Sequence, residues 1–357
     1  MTDALFCWCR AGFEPELAAE LTERAALAGH PGYARAERGN GYVEFIASEA
    51  RALATALPLE RIVFARQKLL RLADLPGLNP SDRITPIMQA LDALHEQGEV
   101  APGMFGELWV EHPDSDDGKT LAGLARSFGN ALRPNLRKGG WLSAKDDPRR
   151  PRLHVAFLGG HHVVLATSDP RDSSPWPLGI PRLRMHAEAP SRSALKLEEA
   201  FMTLLDERER GILLRDNMQA ADLGAAPGGW SWVLMRHGML VTAVDNGPMR
   251  EQLLDSGRVE HVRADGFQWQ PRRPVDWMVC DMVEQPRKVA DRMATWFREG
   301  WCKQAVFNLK LPMKKRWEET RICLEAFELQ THRPMTIRAR QLYHDREEIT
   351  VLAMPSR

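Results

Sequence analysis

Apolar positions along the chain recur in two periods, and the alternation between the periods sets the expected elements. Over the first seventy residues an apolar run at 5–9, a helically spaced stretch at 14–27, an alternating run at 41–46, a short helical stretch at 48–57 and a β-branched run at 61–64 predict alternating strands and helices. That order is the order of a ferredoxin-like α+β unit. Pro76, Pro80 and Pro86 punctuate the next boundary. Beyond them a helix near 87–96, a strand at 105–111, a helix at 120–132 and paired strands at 153–158 and 162–166 predict a second α+β unit, with Gly159-Gly160 as a hairpin turn. Five prolines between Asp169 and Pro190 resist regular structure and mark a linker.

After the linker, the spacing predicts one long helix over 193–214 and then strands at 218–223, 240–244, 259–263, 275–280, 305–309, 336–342 and 349–353, with helices between them. Strands alternating with helices imply a doubly wound, mostly parallel sheet whose ligands bind beyond the carboxyl ends of the strands. The expected architecture is therefore α/β, with an α+β ferredoxin-like domain over residues 1–74, a second α+β domain over 75–170, a Pro-rich linker over 171–190 and the doubly wound domain over 191–357.

Charge changes this picture locally and not globally. The 48 basic and 48 acidic residues cancel. Residues 75–118, however, hold nine acids against Arg83, and residues 119–152 hold nine bases against Asp146 and Asp147. Clustered bases release counterions from a phosphate backbone, so Arg137, Lys138, Arg149 and Arg150 are candidate RNA contacts. The five cysteines form no CxxC pair, and no histidine spacing suits a metal, so reduced thiols and no metal are expected. No stretch reaches the roughly 18 apolar residues of a membrane span. The first residues also lack the basic start of a secretory signal, and a cytoplasmic protein is expected.

The candidate chemistry lies at the strand ends. The first strand of the doubly wound domain runs into Asp222-Leu223-Gly224-Ala225-Ala226-Pro227-Gly228-Gly229-Trp230, where small residues admit a ligand close to the backbone. Ala226 stands where a dinucleotide fingerprint has its second glycine, which disfavours a dehydrogenase. Asp245 ends the second strand, where a carboxylate meets ribose hydroxyls. Asp265 follows the third strand and Asp281 ends the fourth.

The run from Asp222 to Trp230, with its Ala-Pro-Gly-Gly-Trp, resembles the first motif of the FtsJ-type RNA ribose 2′-O-methyltransferases, which use S-adenosylmethionine. The resemblance implies that Gly224, Ala226, Pro227, Gly228, Gly229, Trp230, Asp245, Asp265 and Asp281 bind that cofactor. It also implies that Ser191 or Ser193, the latter preferred, touches its methionine carboxylate. The family's catalytic set of Lys, Asp, Lys and acid finds counterparts in Lys196, Asp281, Lys310 and the pair Glu347-Glu348, with Glu347 preferred on its spacing from Arg346.

With its N-terminal units the whole chain is similar to a bacterial family of large-subunit rRNA methyltransferases that joins ferredoxin-like and THUMP regions to such a catalytic domain. This implies a cytidine ribose of 23S rRNA, single-stranded or locally opened, as substrate. Lys314, Lys315 and Arg316, before Trp317, would dock phosphates. In this scheme Lys310 removes the hydroxyl proton, Asp281 orients its amine, and the nearby ammonium of Lys196 disfavours its charged form. Another RNA as substrate, or a non-catalytic assembly factor, is the alternative.

Overall fold

The computed structural model describes residues 4–356, which divide into two compact units on either side of the Ile180–Pro181 junction. In the first unit the elements run β1 (Ala4–Cys9), α1 (Glu14–Leu27), β2 (Gly32–Arg35), β3 (Tyr42–Ala47), α2 (Ala50–Ala56) and β4 (Ala65–Leu75). They continue with α3 (Ile84–Glu96), β5 (Glu107–Glu111), α4 (Asp116–Lys119), α5 (Ala122–Lys138), β6 (Arg152–Gly159) and β7 (His162–Ser168). The seven strands form one sheet in the order β2-β3-β1-β4-β7-β6-β5. All six residues of β1 are buried, as expected of a central strand covered on both faces.

The two α+β groups read from the sequence therefore share a sheet, and β4 joins them by pairing antiparallel with β1 on one side and β7 on the other. This strand was expected at 61–64. Instead Leu59–Arg61 makes a 3-10 turn and the strand starts at Ala65, running through Arg66-Gln67-Lys68, which resemble a polar loop in sequence. Their charges are paired in the interior: Arg66 with Asp114 at 3.2 Å, Lys68 with Asp172 at 2.5 Å and, further along, Arg71 with Glu44 at 3.2 Å. The segment expected as a linker is an ordered strap as far as Ile180. Gln67 exchanges two hydrogen bonds with the Ser174 backbone, and the buried Glu111 accepts from the Leu178 N–H at 2.6 Å.

The second unit contains α6 (Ala194–Leu204), α7 (Glu207–Leu213), β8 (Gln219–Leu223), α8 (Gly229–Arg236), β9 (Leu240–Val244), α9 (Glu251–Leu254) and β10 (Val259–Val262). It is completed by β11 (Val275–Cys280), α10 (Pro286–Arg298), β12 (Cys302–Lys310), α11 (Arg316–Gln330), β13 (Met335–Arg340) and β14 (Glu348–Pro355). The long helix expected over 193–214 is two. Leu205 is extended, and Asp206 and Glu209 cap each other's backbone in a capping box that restarts the helix.

Its sheet has the order β10-β9-β8-β11-β12-β14-β13, in which the first five strands are parallel and β14 runs antiparallel between β12 and β13. The mostly parallel, doubly wound expectation holds for this unit. Its core packs Leu197, Phe201, Trp230, Val241, Trp277 and Val306 between α6, α8 and the sheet. The reversed β14 was not anticipated, and it decides the geometry of the site.

Candidate active site

Register sets the site. In the antiparallel pairing of β12 with β14, Lys310 lies opposite Glu348 and Asn308 lies opposite Thr350. Side chains two apart on a strand share a face, so these four project together while Leu309 and Ile349 point the other way. The neighbouring β11 ends at Cys280, level with Phe307, and delivers Asp281 to the same end of the sheet. Lys196 arrives from the first turn of α6, three residues after Ser193 at the helix N-cap.

The four charged groups meet. Lys196 Nζ lies 3.3 Å from Asp281 Oδ2 and pairs closely with Glu348 Oε1, while Glu348 Oε2 is 3.5 Å from Lys310 Nζ. Asn308 Nδ2 donates to Asp281 Oδ1 at 2.8 Å. Burial opposes the charge of Lys196, but Asp281 and Glu348 outweigh it and raise its pKa. Burial likewise opposes the charge of Glu348, which Lys196 and Lys310 nonetheless hold below the usual carboxylate range. Asp281 is pushed upward, chiefly by burial, against the pull of Lys196.

Two expectations are corrected here. Glu347, preferred from the sequence, points elsewhere: it is about half exposed and pairs with Arg316, whereas Glu348, one residue on, faces the lysines. Glu347 lies in the bend before β14, whereas Glu348 is the first residue of the strand and takes its direction from the pairing with Lys310. Asp281 pairs with Lys196 and Asn308, and the carboxylate joining Lys310 to the cluster is Glu348. Because Glu348 stands between the two ammonium groups, it offsets the repulsion that was expected to act between them.

Beside this cluster is a cavity of about 270 Å³ lined by Ser191, Ser193, Asp222, Gly224, Ala225, Ala226, Pro227, Trp230 and Asp281. Gly228, at φ +113°, makes the left-handed step that starts α8, and a Cβ there would meet Leu253 at 2.2 Å. A Cβ on Gly229 would meet Ser193 Oγ at 2.3 Å and Ser191 Oγ at 2.4 Å, so the absence of a side chain lets the serine pair close over the helix start. The two hydroxyls are 2.6 Å apart, and the Trp230 indole N–H donates to the Ser193 carbonyl at 2.9 Å.

Asp222, absent from the expected site, is buried in the cavity wall and accepts from Ser231 Oγ at 2.7 Å. Burial pushes its pKa up to about 7, with the Ser231 hydroxyl opposing. Its position at the end of the first strand was the available signal. Asp245 and Asp265 are not among the lining residues. Asp245 accepts from the Ala226 and Gly247 N–H groups at 3.0 and 2.6 Å and so fixes the loop, and the exposed Asp265 accepts from the Phe267 N–H at 2.9 Å in a turn.

The lining offers carboxylates and hydroxyls and no cationic side chain. This donor set fits S-adenosylmethionine, whose sulfonium and ammonium are both positive, and does not fit a phosphate-bearing dinucleotide. Ser191 and Ser193 would hold its carboxylate, and Asp222 and Asp281 its positive groups.

The candidate RNA contacts divide. Lys314 and Lys315 are exposed, with Lys315 3.1 Å from Glu318. Arg316 and Trp317 are buried, so the expected exposed tetrad reduces to the two lysines, Arg316 being held by Glu347. In the first unit Lys138 is exposed, Arg137 pairs with Asp146 at 2.9 Å, and Arg149 and Arg150 both pair with Asp147. Among the described residues no group of three or more His, Cys, Asp or Glu is placed to hold a metal, and no helix is long and apolar enough to cross a membrane.

Comparison with known families matches residues 1–69 to an RlmM ferredoxin-like domain, 82–169 to the N-terminal region of ribosomal RNA large subunit methyltransferase M, and 189–344 to an FtsJ-like methyltransferase. The ribosomal RNA large subunit methyltransferase M of Xanthomonas axonopodis pv. citri (strain 306) is 64% identical over 350 residues, covering 98% of this chain and 99% of the relative. That of Xanthomonas oryzae pv. oryzae (strain KACC10331 / KXO85) is 63% identical over the same share of each chain.

Proposed function

The chain belongs to the ribosomal RNA large subunit methyltransferase M family, and from that premise we propose that it methylates the 2′-hydroxyl of a cytidine in a single-stranded or locally opened segment of 23S rRNA, in the cytoplasm. The observation that carries the reaction type is the meeting of Lys196, Asp281, Lys310 and Glu348 beside a cavity walled by acids and hydroxyls. Bound S-adenosylmethionine supplies a methyl group already made electrophilic by its sulfonium.

The chain's own residues have two tasks: to hold the ribose oxygen in line and to take its proton. Lys310 is the more exposed of the two lysines, with 38% of its side chain accessible against 15% for Lys196. In this reading its amine takes the hydroxyl proton. Lys196 stays charged between Asp281 and Glu348 and holds both carboxylates in place. Glu348 then stabilises the ammonium that Lys310 becomes. Lys314 and Lys315, together with Lys138, Arg149 and Arg150 of the first unit, supply phosphate contacts that position the RNA.

The test is incubation of the protein with labelled S-adenosylmethionine and unmodified 23S rRNA or tRNA, followed by nucleoside mapping. The expected product is 2′-O-methylcytidine in 23S rRNA alone. Lys310→Ala should lower the transfer rate by about 10²- to 10⁴-fold while cofactor affinity stays near wild type. Methyl on a nucleobase, methyl on tRNA, or undiminished transfer by Lys310→Ala refutes the reading.

A further inference from the structure

Behind the charged cluster runs a buried polar chain that the reaction scheme leaves unused. Asn308 on β12 and Thr350 on β14 are cross-strand partners, and Asp345 sits in the turn that precedes β14. None of the three exposes more than 1% of its surface. Asn308 Nδ2 donates to Asp281 Oδ1 at 2.8 Å, and Asn308 Oδ1 lies 2.8 Å from Thr350 Oγ1. Thr350 Oγ1 is also 3.1 and 3.0 Å from the two oxygens of Asp345, and Asp345 Oδ2 accepts from the Leu342 N–H at 2.9 Å.

Counting protons along this chain fixes its direction. The Asp281 carboxylate has nothing to donate, so Asn308 must turn its NH₂ toward Asp281 and its carbonyl toward Thr350. The single proton of the Thr350 hydroxyl is then used on that carbonyl. A lone pair of Thr350 is left facing Asp345, and the contact is attractive only if Asp345 carries the proton. The distances agree with that assignment of the hydroxyl proton: Thr350 Oγ1 stands 2.8 Å from Asn308 Oδ1 and 3.0 and 3.1 Å from the two Asp345 oxygens.

We propose that Asp345 is a neutral carboxylic acid in the working enzyme, the first donor of a one-way relay through Thr350 and Asn308 that aims Asp281 at Lys196. Asp345 is thus a positioning residue, and the inference rests on the assignment of Lys196 and Asp281 to the reacting cluster. The groups facing it are Glu348 on β14, Glu199 and Lys196 on α6, and His344 beside it in the turn, bound to Glu199 at 2.6 Å; the two glutamates favour the neutral form and Lys196 opposes it. Burial and then Glu348 and Glu199 push Asp345 well above the carboxylate range, against the Leu342 N–H and Lys196.

The test combines infrared spectroscopy with kinetics on the full chain. Wild type at pH 7.5 should show the carbonyl stretch of a buried protonated carboxyl group that Asp345→Asn lacks. Asp345→Ala and Thr350→Val should each lower kcat by about tenfold, the effect of removing one buried hydrogen bond. Asp345→Asn, whose amide still donates to Thr350, and Thr350→Ser should restore kcat to within about threefold of wild type. No such infrared difference between wild type and Asp345→Asn overturns the relay whatever the transfer rates, as does an Asp345→Asn kcat as low as that of Asp345→Ala. The infrared result needs no methyl transfer, so the relay and the proposed reaction fail separately.

Discussion

Replacing Asp222 by Asn should change how the stability of the catalytic unit depends on pH. Asp222 is 1% exposed at the end of β8, and burial raises its pKa from 3.8 to about 7. In the unfolded chain the group ionises near pH 4, while in the folded chain it keeps its proton until about pH 7. Between those values the folded state binds more protons, so stability falls as pH rises and then levels off above pH 7. A shift of about 3 units at 1.36 kcal/mol each sets a ceiling of about 4 kcal/mol on the loss. The amide introduced by Asp222→Asn has the same shape as the carboxyl group, still accepts from Ser231 and does not titrate. The assay is urea unfolding of both proteins from pH 4.5 to 8.5 at constant m, with amide exchange of β8 as a local report. The wild-type midpoint should fall relative to Asp222→Asn up to pH 7 and run parallel to it above. Profiles parallel across the whole range would refute the buried, protonated acid.

Two further outcomes separate neighbouring residues. Glu348→Gln removes the charge between Lys196 and Lys310 and should reduce methyl transfer by about 10²-fold; Glu347→Gln leaves that bridge untouched and keeps a carbonyl for the buried Arg316, and should stay within about fivefold, so equal losses in steady-state rates would contradict the register argument. Lys138→Glu combined with Arg149→Glu should weaken RNA binding and flatten the plot of log affinity against log salt by about 0.7–0.9 for each phosphate no longer neutralised. An unchanged slope in a filter-binding titration would remove those residues from the RNA surface.

The strand ends of the second unit were legible because each apolar run stops at a small or charged residue, and Asp281, Lys196 and Lys310 do meet through Glu348. The choice between Glu347 and Glu348 was not legible. It depends on which residue of β14 opposes Lys310, and that pairing is set by the turn at 341–347 and not by local spacing. Asp222 was passed over because a motif read for small residues draws attention away from the acid before them. Asn308, Thr350 and Asp345 carry no motif and become a network only when two strands and a turn converge. In the first unit β4 was misplaced because its charges are paired with Asp114, Asp172 and Glu44, partners 27 to 104 residues distant. The restart of the helix at Asp206, by contrast, was written in the Asp-x-x-Glu spacing.

The insertion of β14 between β12 and β13 bears on how the protein is made. Translation proceeds from the first unit toward the last strand, and domains generally fold in that order. A chain halted before residue 348 would possess the bases of residues 119–152, its first sheet and every residue that lines the cavity. It would lack the acid that bridges the two lysines and the strand that holds β13 in place. Truncation anywhere upstream of residue 348 therefore removes the bridge between Lys196 and Lys310 and the pairing partner of β13 in a single step.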